Sequence, residues 1–285
     1  MTPTAPQAPL PIDDSSVPTP VRLDANLGWL FTEEPLEQRF ESAARAGFRA
    51  VEFPDPYACS PASLRKRLDD AGLEQVLINS PAGAPDSPTR NGSACMPDRV
   101  SEFRDGMLAA LQYATELGAD VIHVLGGIRP DGVTREDALD TYRDNLRWCV
   151  EQASPTAVTL AIEALNHGDA PGFVLDSSEH AAEVVEAIAH PRLGLLFDAY
   201  HCARAGEDPA ERLRALIDVT VHVQVADAPG RGEPGSGTIA WERFFEQLRA
   251  LRYRGWVGCE YRPVAGTRDG LAWRERLNLL PETGN

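Results

Sequence analysis

The chain has 285 residues, with 27 Lys and Arg against 43 Asp and Glu, and carries a formal net charge of -16. That balance repels polyanions, so nucleic acid and acidic membrane surfaces are disfavoured as partners, while a local basic site can still take a small anion. Five cysteines, Cys59, Cys95, Cys149, Cys202 and Cys259, are odd in number, far apart and without a C-x-x-C pair. They suggest neither a disulfide framework nor a zinc knuckle, and predict reduced thiols in a cytoplasmic protein.

The first 20 residues, MTPTAPQAPLPIDDSSVPTP, lack the basic and apolar regions of a secretory signal. They are too poor in apolar residues to pack, so a disordered Pro-rich leader is expected through Pro20. No apolar run approaches the roughly 18 residues that a membrane span needs.

Val21 to Leu27 predicts a first strand, and Pro35 to Ala46 a helix with Leu36, Phe40, Ala43 and Ala44 at helical spacing. Ala50 to Phe53 is a second strand, a helix opens at Ser60-Pro61 and ends at Gly72, and Gln75 to Asn79 is a third strand. Ser80 to Arg99 is too long for an ordinary βα loop of about 2 to 6 residues and reads either as a lid or as a disordered insertion. Val100 to Leu117 is an amphipathic helix, Val121 to Leu125 a fourth strand, and Arg135 to Glu151 a helix. Val158 to Ile162, Leu193 to Phe197, Val221 to Val225 and Val257 to Tyr261 supply four more strands, separated by helices over Ser177 to Ala189, Pro209 to Leu216 and Trp241 to Leu251. A last helix is expected around Gly270 to Leu280.

Eight strands alternating with helices and no break in composition predict one domain from residue 21 to 285, an α/β fold of the (β/α)8 barrel kind, which takes roughly 250 residues. In such a barrel the loops after the strands form the active face. Glu163, Asp198, Gln224 and Glu260 close the last four strands and step by 35, 26 and 36 residues, near the roughly 31 residues of an average βα unit. Side chains two apart in a strand share a face, so all four can meet at one level of the mouth. Three converging carboxylates repel one another unless protons or a cation neutralise them. A donor set of three carboxylates and an amide oxygen, with no thiolate, favours Mg²⁺ or Mn²⁺ over Zn²⁺.

The segments AIEALN, LGLLFDAYH, HVQVADAPGRGEPGSG and GWVGCEYRP resemble the hydroxypyruvate isomerase family of the xylose-isomerase-like TIM-barrel superfamily. The resemblance extends to ANLGWLFTEEPLEQRF, AGFRAVEF and LINSPAG, and covers about Val21 to Trp273. It implies a metal held by Glu163, Asp198, Gln224 and Glu260, with Glu163 and Glu260 also moving the proton. Ketose epimerases of the superfamily usually have His where Gln224 stands, which favours the isomerase branch. Ala164 replaces a proline common after the first Glu, and the Ser80 to Arg99 loop matches loosely, so the substrate is less defined than the reaction type.

Other residues carry expectations of their own. His201 is placed at the mouth by the family pattern and is expected to bind a substrate hydroxyl, although a loop histidine capping a helix would fit as well. Arg231, in the Gly/Pro-rich loop after Gln224, is expected to pair with a substrate carboxylate. Glu52, Asn79 and Tyr57 are candidates for lining the pocket. His222 reads as a hydrogen-bonded core histidine rather than a ligand, and Cys259 as an outward-facing thiol.

The expected activity is a metal-dependent intramolecular isomerisation of the aldose–ketose type. It would interconvert hydroxypyruvate and 2-hydroxy-3-oxopropanoate (tartronate semialdehyde), with one glutamate removing a proton and the other returning it to the neighbouring carbon. Three alternatives stand beside it: an isomerase or epimerase of a four-carbon oxo acid or free ketose, an endonuclease of the same superfamily, and a metabolite-binding protein without catalysis. The net charge of -16 and only six histidines argue against the endonuclease. The expected partner is a small molecule, with homo-oligomerisation open.

Overall fold

A computed structural model describes residues 20–279, so the expected leader lies outside the described residues except for Pro20. The strands are β1 (Arg22–Asn26), β2 (Ala50–Glu52), β3 (Glu74–Asn79), β4 (Val121–His123), β5 (Thr159–Ile162), β6 (Leu193–Asp198), β7 (Thr220–Val225) and β8 (Trp256–Cys259). Between and after them run the helices α1 (Leu36–Arg45), α2 (Pro61–Ala71), α3 (Val100–Leu117), α4 (Arg135–Ala153), α5 (Ser178–Ile188), α6 (Ala199–Arg204), α7 (Pro209–Leu216) and α8 (Trp241–Ala250). Each strand pairs in parallel with the next, and β1 pairs with β8, closing the barrel. Parallel neighbours need a crossover, and the helices supply it on the outside of the ring.

Local chemistry sets the boundaries. The hydroxyls of Ser60, Thr134 and Ser177 accept the first free backbone N–H groups of α2, α4 and α5, while Gly72 and Gly118 end α2 and α3 in left-handed backbone. The large core lies between strands and helices and includes Phe40, Phe103, Tyr142, Phe197, Phe244 and Trp241. A separate cluster contains Ala50, Leu77, Val121, Ala161 and Leu196. Each of these five stands two residues before a polar strand end, namely Glu52, Asn79, His123, Glu163 and Asp198, so this apolar plug fills the barrel interior beneath the polar ring.

Four features differ from the sequence expectation. The strands at the fourth and eighth positions stop at His123 and Cys259, because the chain then turns toward the mouth. A six-residue helix, α6, follows β6 directly, its first turn capped by the Asp198 carboxylate through Tyr200 N at 2.7 Å. The expected last helix is two short turns, α9 (Thr267–Gly270) and α10 (Trp273–Arg276), because Trp273 and Leu271 tuck into the core instead of following one continuous stripe. The segment from Ser80 to Arg99 is ordered and is anchored on the barrel in its second half rather than being a disordered insertion. Cys95 N bonds Gly126 O at 2.9 Å, Asn145 Nδ2 donates to Ala94 O at 2.9 Å, and Ala94, Cys95 and Met96 are buried.

Candidate active site

Glu163 and Asp198 follow and close β5 and β6, and both are buried. Glu163 Oε1 and Asp198 Oδ2 have no hydrogen-bond partner among the described residues. His201, one turn into α6, points its Nε2 between them, 3.9 Å from Glu163 Oε1 and 3.7 Å from Asp198 Oδ2. Its other nitrogen, Nδ1, accepts from the backbone N–H of Asn166 at 3.1 Å and faces Asn166 Nδ2 at 2.8 Å. Burial and the nearby Arg231 push the imidazole down to about 3, so it is neutral. A neutral ring that accepts at Nδ1 carries its hydrogen on Nε2. His201 therefore offers a donor to the site, which suits a substrate oxygen better than a cation.

Arg231 closes the opposite side. Its Nη2 donates to Glu260 Oε2 at 2.5 Å and lies 3.6 Å from Asp198 Oδ2. Its guanidinium stands 4.5 Å from the centre of the Trp29 ring and 4.9 Å from that of Tyr200. The loop that carries it is tied to one carboxylate: Asp227 accepts from Gly235 N at 2.8 Å, Ile239 N at 3.1 Å and Trp241 Nε1 at 2.8 Å. Arg231 itself has left-handed backbone, with φ 56°, and its carbonyl accepts from Arg262 N at 2.8 Å.

Gln224 pairs with Asp198 in the register of β6 and β7, and its Nε2 donates to Glu52 Oε2 at 2.8 Å. Asn26 Nδ2 reaches both Glu52 Oε2, at 2.8 Å, and Glu260 Oε1, at 3.2 Å. Glu52 is wholly buried and does not line the mouth as expected; its other oxygen meets His222 Nε2. His222 is the packed, bonded core histidine that the sequence suggested. Tyr57 donates its hydroxyl to the Asn79 carbonyl, and its ring packs edge-on against Tyr113, 5.1 Å between centres. Both Tyr57 and Asn79 are half-buried.

Besides Asn26, four residues at the site escaped the sequence reading. His123 closes β4, buried, with Nε2 3.6 Å from Glu163 Oε2, and burial together with His222 holds it down at about 3. Its inward place was readable from the alternation of Val121-Ile122-His123. Trp29, Tyr200 and Asn166 lie in loops or the first turn of a short helix, where no periodicity marks them.

Electrostatics shows what the cluster lacks. Burial, then Asp198 and Glu260, raise Glu163 well above the usual carboxylate range. Burial raises Asp198 to about 6 and Glu260 to about 7, in both cases against the opposing pull of Arg231. One guanidinium thus faces three carboxylates, Glu163 and Asp198 buried and Glu260 half-buried, and the balance has to come from protons or from a cation. The unpaired oxygens of Glu163 and Asp198 lie within 4.8 Å of each other and of a His201 ring nitrogen, so two carboxylate oxygens are free to ligate while His201 borders them as a donor. The residues therefore fit a divalent cation. A second such group, Asp24, Glu52 and His222, fits less well, because Glu52 and His222 are already bonded to each other.

A closed parallel barrel with an acidic, underpaired cluster at the carboxyl ends of its strands defines a TIM-barrel protein whose site could hold a metal. The chain belongs to the xylose isomerase-like TIM barrel family, whose model matches residues 40–277, and within it to the hydroxypyruvate isomerase group that its motifs resemble. It is 39% identical over 252 residues to a 2-oxo-tetronate isomerase of Cupriavidus necator, covering 88% of this chain and 96% of that protein. It is also 39% identical over 255 residues to hydroxypyruvate isomerase of Escherichia coli, covering 90% and 98%. Relatives of this kind make the chain an isomerase. Among solved structures, a Brucella melitensis protein described as an AP endonuclease of family 2 superposes with a TM-score of 0.86 at 34% identity, covering 91% of this chain and 99% of that one. A D-psicose 3-epimerase of Clostridium cellulolyticum H10 superposes with a TM-score of 0.76 at 15% identity, covering 92% and 100%, a likeness of fold alone.

Proposed function

We propose that the protein interconverts hydroxypyruvate and 2-hydroxy-3-oxopropanoate. The observation that carries this reading is the meeting, in one site, of a fixed guanidinium with Glu260, raised to about 7, and with Glu163, raised well above the usual carboxylate range. The guanidinium takes the substrate carboxylate. Trp29 and Tyr200 hold its plane, so little ordering is needed on binding. His201 Nε2–H donates to a substrate oxygen. Of Glu163 and Glu260, one removes the proton from the hydroxymethyl carbon and the other delivers a proton to the former carbonyl carbon. The hydroxymethyl O–H proton passes to the former carbonyl oxygen, so the carbonyl becomes a hydroxyl and the hydroxymethyl group the aldehyde, and no electron acceptor is required.

Glu163, Asp198, Gln224 and Glu260 would hold the divalent cation, for which their all-oxygen donor set favours Mg²⁺ or Mn²⁺. When bound, the cation would supply stabilisation of the negative charge that develops on the substrate oxygens. The free state of all five cysteines supports a reducing, cytoplasmic setting. A four-carbon 2-oxo acid is the second reading, favoured by the equal identity to the 2-oxo-tetronate isomerase.

Proton exchange into substrate in D₂O tests both readings without assuming a product. Exchange is expected to be much faster on hydroxypyruvate or on the four-carbon oxo acid than on free ketoses. Exchange confined to neutral sugars would overturn the oxo-acid assignment.

A further inference from the structure

Glu52 is wholly buried, yet it is joined to three residues of the site's framework. One of its oxygens meets His222, and the other takes the amides of Asn26 and Gln224, each at 2.8 Å. Space for it is built into the opposite wall: a Cβ on Gly258 of β8 would lie 2.2 Å from Glu52 Oε1 and 3.0 Å from Gln224 Cγ. Burying a carboxylate completely is costly unless its oxygens are bonded, and here each is.

The consequence concerns an ambiguity special to Gln224. A side-chain amide presents an oxygen at one end and an NH₂ group at the other, and only the oxygen can ligate a cation. A carboxylate accepts and does not donate, so contact with Glu52 requires the Nε2 end. The Oε1 end is then free to turn toward Asp198, the register partner of Gln224 across β6 and β7. We propose that Glu52 is a positioning residue that fixes the amide of Gln224 with its oxygen toward the cation site, an inference that rests on the metal reading given above. It acts through Gln224 and touches no substrate.

Mn²⁺ titration of the full-length chain by calorimetry tests this in four forms: wild type, Glu52→Gln, Gln224→Glu and the double variant. An amide at position 52 can face Gln224 with either end, so Glu52→Gln should weaken Mn²⁺ binding by about 10- to 100-fold, as losses of residues behind a ligand do. A carboxylate at position 224 offers an oxygen whichever way it turns. In that background Glu52→Gln should therefore cost less than about threefold, a coupling that a purely structural role does not produce. Equal losses in both backgrounds, or no loss in the first, would overturn the positioning role while leaving the metal reading intact. If the wild type binds no Mn²⁺, the metal reading fails and takes this inference with it.

Discussion

Two groups of polar side chains share the barrel end and differ in how completely they are paired. On the β1, β2 and β7 side, Asn26, Glu52, His222 and Gln224 form a chain of hydrogen bonds. On the β5 and β6 side, Glu163 and Asp198 each keep a buried oxygen with no hydrogen-bond partner among the described residues, and His201 offers a hydrogen at distances too long for a bond. Burial is similar in both. Satisfied polar groups hold geometry; unsatisfied ones keep free energy in reserve for whatever enters. The paired group reads as scaffold, and the unpaired group as the place where cation and substrate make up the missing partners.

The strongest way to break that comparison is to neutralise a residue of the unpaired group. Glu163→Gln should lower kcat/KM on hydroxypyruvate by about a thousandfold, through loss of a proton-transfer group and of a candidate ligand, with the fold preserved. Activity within about tenfold of wild type would remove Glu163 from the reaction. A smaller effect is expected at the edge of the group. Arg231→Ala removes a guanidinium that faces Glu260 and Asp198, and an Arg–carboxylate pair in a partly desolvated site is worth roughly 2 to 5 kcal/mol. A loss of about 30-fold or more in kcat/KM is expected on an oxo acid, and little change on a neutral ketose. Equal losses on both substrates would make Arg231 a structural clamp.

The smallest expected effect is on stability. A carboxyl raised in the folded state favours folding at low pH, and that contribution is lost as pH rises through the folded value. For Asp198 and Glu260 those values are about 6 and about 7. Mn²⁺ displaces the protons concerned, so it should raise the melting temperature more at about pH 8 than at about pH 5. Thermal denaturation with and without the ion measures this, and a shift independent of pH would mean that the cation binds elsewhere.

Much of this site was legible because strand alternation and repeat length are one-dimensional signals. Glu163, Asp198, Gln224 and Glu260 each end an apolar run at a regular step, and the structure sets all four at the mouth end of consecutive strands. What a strand end does not disclose is whether its side chain faces the opening or another side chain across the ring. Glu52 has the same local pattern as Asp198, yet it is held from across the barrel by His222, a residue 170 positions away. Trp29, which lies beside Arg231, follows from the path of a loop, and loops have no period to read. The final segment misled for a related reason: Leu271, Trp273 and Leu277 are all buried, but the backbone that carries them forms two short turns and not one helix.

Gly258 shows a requirement that neither motif nor mechanism names. Its backbone is not left-handed, so alanine would be acceptable to the chain there; what forbids it is the 2.2 Å approach to Glu52. In place of a side chain the position contributes no donor, acceptor or charge, only an absent methyl. Anyone transplanting this site onto another barrel would copy Glu163, Asp198, Gln224 and Glu260 and could still fail, because one strand must also bring a vacancy of the right size.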